Sequence, residues 1–246
     1  MRENERMPER ESIVLSWSGG KDSAMALYEL RRSDCYDIAC LLTTVSQEFD
    51  RISHHGVRLD LLERQAEALG LPLETVMLPG PACSNEEYEA IMTQAMQTYS
   101  ERGLETIAFG DIFLADIRAY RERHLAEAGM RGLFPLWHRD TAELAQRFLD
   151  LGFAARICCI DGRKLTEGFA GRSYDAAFLA ALPDGVDPCG EYGEFHSFVH
   201  DGPDFAQAVA LEGGEVVKRD DRWFADLLPA EPDKLEASAG RGKALQ

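Results

Sequence analysis

The sequence predicts an α/β protein with a mostly parallel sheet, followed by a smaller C-terminal α+β domain. Three observations carry this. Short apolar runs alternate with amphipathic stretches through the first half of the chain. A Gly-rich turn joins the first apolar run to the first amphipathic stretch. After Pro183 the texture changes to turn residues and short strands.

Taken in order, Ile13 to Trp17 reads as a buried strand, and a helix through Ala24–Leu30 follows the Gly-rich turn. Ile38 to Thr44 is a second strand. Val57 to Leu69 is helical, with Leu59, Leu62, Ala66 and Leu69 at three-to-four spacing. Leu73 to Leu78 is a third strand. Ser84-Asn85-Glu86-Glu87 opens a helix that runs to Arg102, and Thr106 to Phe109 is a fourth strand. This rhythm implies right-handed crossovers and ligands at the carboxyl ends of the strands. A helix at Asp116–Ala128, an apolar piece at Leu133–Leu136, a helix at Thr141–Leu151 and a strand at Ala154–Cys159 follow. Strands are expected at Phe195–His200, Phe205–Leu211 and Glu215–Lys218, with Glu212-Gly213-Gly214-Glu215 as a hairpin turn. The expected division is 1–137, 138–236 and a frayed tail over 237–246.

Composition narrows the function. The 246 residues carry 43 Asp and Glu against 26 Lys and Arg, a net charge of −17. A broadly basic nucleic-acid surface is excluded, but a small basic pocket is not. Only 5 of the 26 cations are Lys, so a Lys inside a motif is informative. No apolar run reaches the roughly eighteen residues of a membrane span. The charged start, Met1 to Glu11, is no secretory signal. Cys35, Cys40, Cys83, Cys158, Cys159 and Cys189 show no metal-binding spacing, so free thiols and a cytoplasmic location are expected.

Ser16-Trp17-Ser18-Gly19-Gly20-Lys21-Asp22-Ser23 lies between the first strand and the first helix. Gly19 and Gly20 let the backbone approach an anion closely, and the helix N-terminus favours negative charge. Lys21 adds a formal charge, and Ser18 and Ser23 add hydroxyls. A Walker loop would need Gly where Leu15 stands. A simple Gly-Gly turn is the alternative. The segment resembles the SGG-x-DS loop of the PP-loop ATP pyrophosphatases. That resemblance implies a Rossmann-like, HUP-type domain that cleaves ATP between the α and β phosphates.

Two further clusters stand out. Gly110 and Asp111 follow the fourth strand, where function concentrates; Asp116 reads as a helix N-cap, and Arg118 and Arg121 lie in the helix after it. The second cluster runs from Asp187 to Pro203. It places Glu191, Glu194, His196, Ser197 and Asp201 in a Gly-rich turn and strand, with His196 and Phe198 on one face of that strand. Two carboxylates and an imidazole could bind Mg²⁺, orient an amine or move a proton. A transition-metal site and a solvated acidic turn are the alternatives.

The combination of SWSGGKDS, GDIFLADIRAYRE, FPLW at 134–137 and DPCGEYGEFHSFVHDGPDF resembles the diphthine–ammonia ligase (diphthamide synthase) family, from about Ile13 to Val217. His54-His55-Gly56-Val57 is also similar to the family's segment before its second helix. The resemblance implies an ATP- and Mg²⁺-dependent ligase. A carboxylate is adenylated, pyrophosphate leaves into the loop, and ammonia displaces AMP. It places Ser16, Ser18, Gly19, Gly20, Lys21, Asp22, Ser23, Thr43 and Gly110 on ATP. Lys21, Asp111, Glu191, Glu194 and His196 fall to catalysis, and Asp116, Arg118, Ser197 and Asp201 to the acceptor. No protein-built metal site is expected, Mg²⁺ being carried on the phosphates. The implied acceptor is diphthine on elongation factor 2 in archaea and eukaryotes. For bacterial members it is another acid, with cobalamin salvage a candidate. The partners are then ammonia and an acid acceptor, with no nucleic acid or membrane, in a chain expected to be a homodimer. A tRNA-thiolating enzyme using Cys158, Cys159 or Cys189, and a nucleotide-sensing module without turnover, are the rivals.

Overall fold

A computed structural model describes residues 10–47, 51–52, 56–80 and 83–230. Five parallel strands form the first sheet in the order β4-β2-β1-β5-β6: β4 is Leu73–Leu78, β2 Tyr36–Ser46, β1 Glu11–Ser16, β5 Thr106–Ala108 and β6 Arg131–Leu133. A two-residue strand, β3 (Arg51–Ile52), pairs antiparallel with the end of β2. The chain lays β2 and β4 on one side of β1, then crosses to β5 on the other. The carboxyl ends of β1 and β5 therefore border a switch point, where a parallel sheet opens a crevice.

Helices cover both faces, as a parallel sheet requires. Ile13 and Leu15 of β1 face one core with α1 (Lys21–Arg32) and α2 (Leu59–Leu69). Val14 faces a second core with Ile107, with Met96 and Tyr99 of α3 (Asn85–Glu101) and with Leu125 of α4 (Ala115–Glu127). Each such fully buried aliphatic side chain stabilises the fold by about 1.5–3 kcal/mol. The capping box at Ser84 and Glu87 starts α3 as its sequence predicts.

The second sheet is antiparallel, in the order β8-β7-β10-β9: Phe195–Asp201, Ala154–Asp161, Arg222–Pro229 and Leu211–Arg219. Two helices join it, α5 (Thr141–Asp150) and the short α6 (Ala176–Ala181). The two sheets share one core, since Leu15, Trp17 and Leu62 pack in the same cluster as Phe148, Ile157 and Phe198. Arg58, just before α2, reaches Asp226 of β10 at 2.7 Å and ties the sheets at the surface.

Several expectations are corrected. Residues 205–210 form no strand. Phe205 and Val209 donate to Gly202 and His200, and Ala206 donates to Ala68, so their amides are spent on neighbouring loops. Gly213 and Gly214 lie inside β9, where the pairing with β10 shifts between Ala225 and Leu227. They mark a bulge, and the turn is Asp220-Asp221, with Asp220 at φ 51°. β10 and α6 are not foreseen in the sequence reading. The apolar piece at Leu133–Leu136 is mostly turn, and its strand lies earlier, at Arg131–Leu133. His54, His55 and the tail at 237–246 lie outside the described residues.

Candidate active site

A cavity of about 550 Å³ opens over the carboxyl ends of β1, β2 and β5. Its floor is the loop from Ser16 to Ser23. Trp17 anchors that loop by burying its ring, donating its backbone N–H to Leu42 (2.7 Å) and its indole N–H to Gln65 (2.7 Å). Gly19 sits at φ 74°, in the left-handed region, and a Cβ there would meet Gln65 at 2.9 Å. The N-cap of α1 is Gly20, which brings no side chain to its first-turn amides. Those donors face a site where an anion is favoured. Lys21 N donates to Ser197 Oγ (3.2 Å), and Ser23 Oγ donates to the Gly20 carbonyl (2.9 Å).

Lys21 is buried, with Nζ 2.7–2.8 Å from both carboxylate oxygens of Asp22. Burial works against its charge, but Asp22, with Cys189 and Glu191 nearby, more than offsets this, and its pKa is raised. A fixed cation thus lines the wall beside the loop. Thr43, in the carboxyl-terminal half of β2, also lines the cavity, and its buried hydroxyl makes no hydrogen bond among the described residues. Leu42 and Thr44 flank it.

From β5, Gly110 and Asp111 complete this side. Asp111 pairs with Arg121 at 2.9 Å, and the Arg121 guanidinium lies 4.4 Å from the Phe109 ring centre. Asp116 is corrected: Leu114 is the N-cap of α4, and Asp116 is an exposed first-turn acid outside the cavity wall. Arg118 also faces away. It lies over Phe134 and Trp137, each 4.6 Å to the ring centre, and pairs with Glu122 at 2.7 Å.

The third wall is the turn before β8. Asp187 organises it, one oxygen accepting from the amides of Cys189 (2.8 Å) and Glu191 (3.2 Å) and the other from Thr141 Oγ1 (2.7 Å). Gly190 and Gly193 take positive φ, 68° and 78°. Glu191 points across the cavity and accepts from the amides of Ile112 (2.9 Å) and Phe113 (3.4 Å). Burial lifts its pKa to about 7, with Asp22 reinforcing the shift against those two amides. His196 and Ser197 join the same wall. Glu194 does not. It is fully buried behind the turn, with one oxygen held by Lys164 (3.3 Å) and the Asp187 amide (3.4 Å) and the other without a hydrogen-bond partner among the described residues. Asp201 lies at the far end of β8, outside the wall, and accepts from Gly202.

The structure therefore converges Ser16, Ser18, Gly20–Ser23, Thr43, Gly110, Asp111, Glu191, His196 and Ser197 on one cavity, with Gly19 directly beneath. It leaves Asp116, Arg118, Glu194 and Asp201 outside the wall. The sequence reading missed Tyr88 and Glu89 of α3, Tyr120 and His124 of α4, and Arg222 of β10 as lining residues. It also missed Gln65, which a polar side chain in the apolar stripe Leu61-Leu62-Ala66-Leu69 could have signalled. The six cysteines are unpaired, and none lines this cavity. Among the described residues no group of three His, Cys, Asp or Glu is assembled as a metal site, and no helix is long and apolar enough to cross a membrane.

The fold and the Gly-rich loop at its switch point define an α/β protein with an anion-binding site at the carboxyl ends of its strands. Two family descriptions match the chain: the diphthamide synthase N-terminal domain over residues 10–132 and the diphthamide synthase C-terminal domain over 140–228. The chain belongs to the diphthamide synthase family. Among curated relatives, the diphthine–ammonia ligase of Danio rerio is 26% identical over 231 residues, covering 85% of this chain and 90% of that one. The Homo sapiens diphthine–ammonia ligase is 25% identical over 232 residues, covering 85% and 86%. Among solved structures, the U34-tRNA thiolase NcsA of Methanococcus maripaludis, with its [4Fe-4S] cluster, overlaps 59% of each chain at TM-score 0.38 and 15% identity.

Proposed function

We propose that this protein is an ATP-dependent ligase that joins ammonia to a carboxylate, with diphthine on elongation factor 2 as the acceptor its relatives' names suggest. One observation carries the reading. The N-terminus of α1, whose N-cap Gly20 brings no side chain, with Lys21, and the carboxylate of Glu191, with a pKa near 7, line one cavity.

A carboxylate and ammonia do not condense directly, because oxide is too poor a leaving group. In the first step a carboxylate oxygen attacks the α-phosphorus of ATP, and the bond to the bridging β-oxygen breaks. Pyrophosphate leaves into the loop, where the amides and Lys21 stabilise the charge that builds on it. In the second step ammonia attacks the acyl carbon, AMP departs, and Glu191 takes the proton that the nitrogen loses. Thr43 suits the nucleoside, its buried hydroxyl being ready for a partner. Mg²⁺ would ride on the phosphates, with Asp111 as the hard oxygen donor beside them, since both oxygens of Asp22 are taken by Lys21. Glu194 then supports the turn rather than touching the reactants. The chain divides, on this reading, near residue 138 into a nucleotide half and an acceptor half.

The test is to incubate the protein with ATP, ammonium and elongation factor 2 bearing diphthine, and to follow AMP, pyrophosphate and the amide. AMP and pyrophosphate in step with amide support the reading. ADP or orthophosphate as the sole nucleotide-derived products would overturn it.

A further inference from the structure

Gln65 lies on α2, in none of the motifs considered so far, yet it is completely buried beneath the phosphate loop. Its side chain makes three hydrogen bonds. Oε1 accepts from Trp17 Nε1 at 2.7 Å, and Nε2 donates to the carbonyls of Gly19 (3.1 Å) and Val199 (2.5 Å). Trp17 and Gly19 flank Ser18, so the amide grips the loop on both sides of that serine. A polar side chain in an apolar interior is stabilised only when its groups are satisfied, and both ends of this amide are.

The grip has a directional consequence. The Gly19 carbonyl also accepts from Val199 N at 2.9 Å, so two donors hold it from the side of α2 and β8. In a planar trans peptide, C=O and the following N–H point in opposite directions. Fixing the Gly19 oxygen there turns the Gly20 N–H the other way, toward Ser18 Oγ (3.3 Å) and the cavity that Gly20 lines. Gly19 is at φ 74° and has two φ/ψ basins nearly equal in energy, so without the grip the peptide could flip.

We propose that Gln65 is the positioning residue of the phosphate loop: its amide sets the Gly19–Gly20 peptide so that the Gly20 N–H meets the phosphates. The inference rests on the reading that this loop takes pyrophosphate. Val199 belongs to β8, which continues from the turn bearing Glu191. The same amide therefore holds the acceptor wall in register with the loop.

The experiment measures binding of inorganic pyrophosphate, and of adenosine as control, to the full chain by calorimetry, with thermal melts alongside. In Gln65→Leu, pyrophosphate affinity should fall about tenfold, the equivalent of one lost hydrogen bond, while adenosine affinity holds. Trp17→Phe removes the indole donor together with the five-membered ring, keeps an aromatic face in the core, and should give a smaller loss of the same kind. It serves if Gln65→Leu does not fold. Gln65→Glu keeps the shape but sets an oxygen against the two carbonyls, and should bind pyrophosphate no better than the Leu variant. A lowered melting temperature with unchanged pyrophosphate affinity, or an equal loss for both ligands, overturns the proposal. Failure of the wild-type chain to bind pyrophosphate would instead sink the loop's assigned role.

Discussion

Glu191 Oε1 accepts the Ile112 N–H at 2.9 Å, a bond from the turn before β8 to the segment that follows β5. It closes the cavity between the two sheets and leaves the carboxylate half-buried, with its pKa pushed up to about 7. The folded state therefore binds this proton more tightly than the unfolded chain, whose value is near 4.5.

The first prediction follows from the sign of that shift. The favourable contribution is complete below pH 4.5 and is lost as pH rises through about 7. Glu191→Gln keeps an acceptor for Ile112 and removes the titration. Urea melts should show the variant gaining stability over wild type at pH 8 and none at pH 4. Activity should move the other way: at a constant concentration of free ammonia the rate of amide formation in wild type should rise through pH 7, and the variant should lose that rise. Equal pH dependence of stability in both proteins would remove Glu191 as the titrating group.

Lys21 carries the second prediction. Its charge sits between the loop and Asp22, and Lys21→Ala leaves Asp22 facing any phosphate without its counter-ion. Pyrophosphate affinity should fall, and AMP formation should drop about 10²–10³-fold, as for removal of other preorganised donors. The double variant Lys21→Ala/Asp22→Ala should recover part of the binding loss, because it also removes the repulsion. Calorimetry with pyrophosphate on the three proteins checks this.

Gly110 gives the third. A Cβ there would meet the backbone carbon of Asp22 at 2.8 Å and its oxygen at 2.9 Å. Neither is the tip of a flexible side chain, so Gly110→Ala must push β5 and α1 apart. The variant should lose about 1–3 kcal/mol of stability and bind ATP less well. Gly152→Ala, where nothing lies within 4 Å but φ is 81°, separates backbone strain from the steric effect. It should lose stability without losing ATP affinity.

The parallel sheet and the loop were legible because their signals are local. A buried strand, two glycines and a helix follow one another within β1 and α1, and the switch point follows from strand order. The Glu191 turn was legible as a cluster of acids and glycines, but the division of labour within it was not. Glu191 and Glu194 differ only in what lies across from them, Ile112 in one case and Lys164 in the other, contacts 79 and 30 residues away in sequence. Gln65 was invisible for the same reason: its partners Trp17, Gly19 and Val199 come from three separate segments. The Gly213-Gly214 pair was misread as a turn because glycine serves a bulge and a hairpin equally well, and only the register with β10 decides.

The cysteines supply the last prediction, and it separates the ligase from a thiolating enzyme. A sulfur carrier must present a thiolate to its substrate. Cys158, Cys159 and Cys189 are all buried, and burial raises each thiol: Cys189 to about 12, and Cys158 well above its usual range. None lines the cavity, and Cys189 donates instead to the Thr141 carbonyl at 3.3 Å. Iodoacetamide at pH 8 should therefore modify Cys35, which is exposed, and spare these three, as read by mass spectrometry of the peptides. Replacing all three by Ala should lower stability through the lost packing but leave AMP formation within about twofold, since none is placed to touch the reactants. Rapid labelling of Cys189, or loss of turnover in a folded triple variant, would return sulfur chemistry to the site.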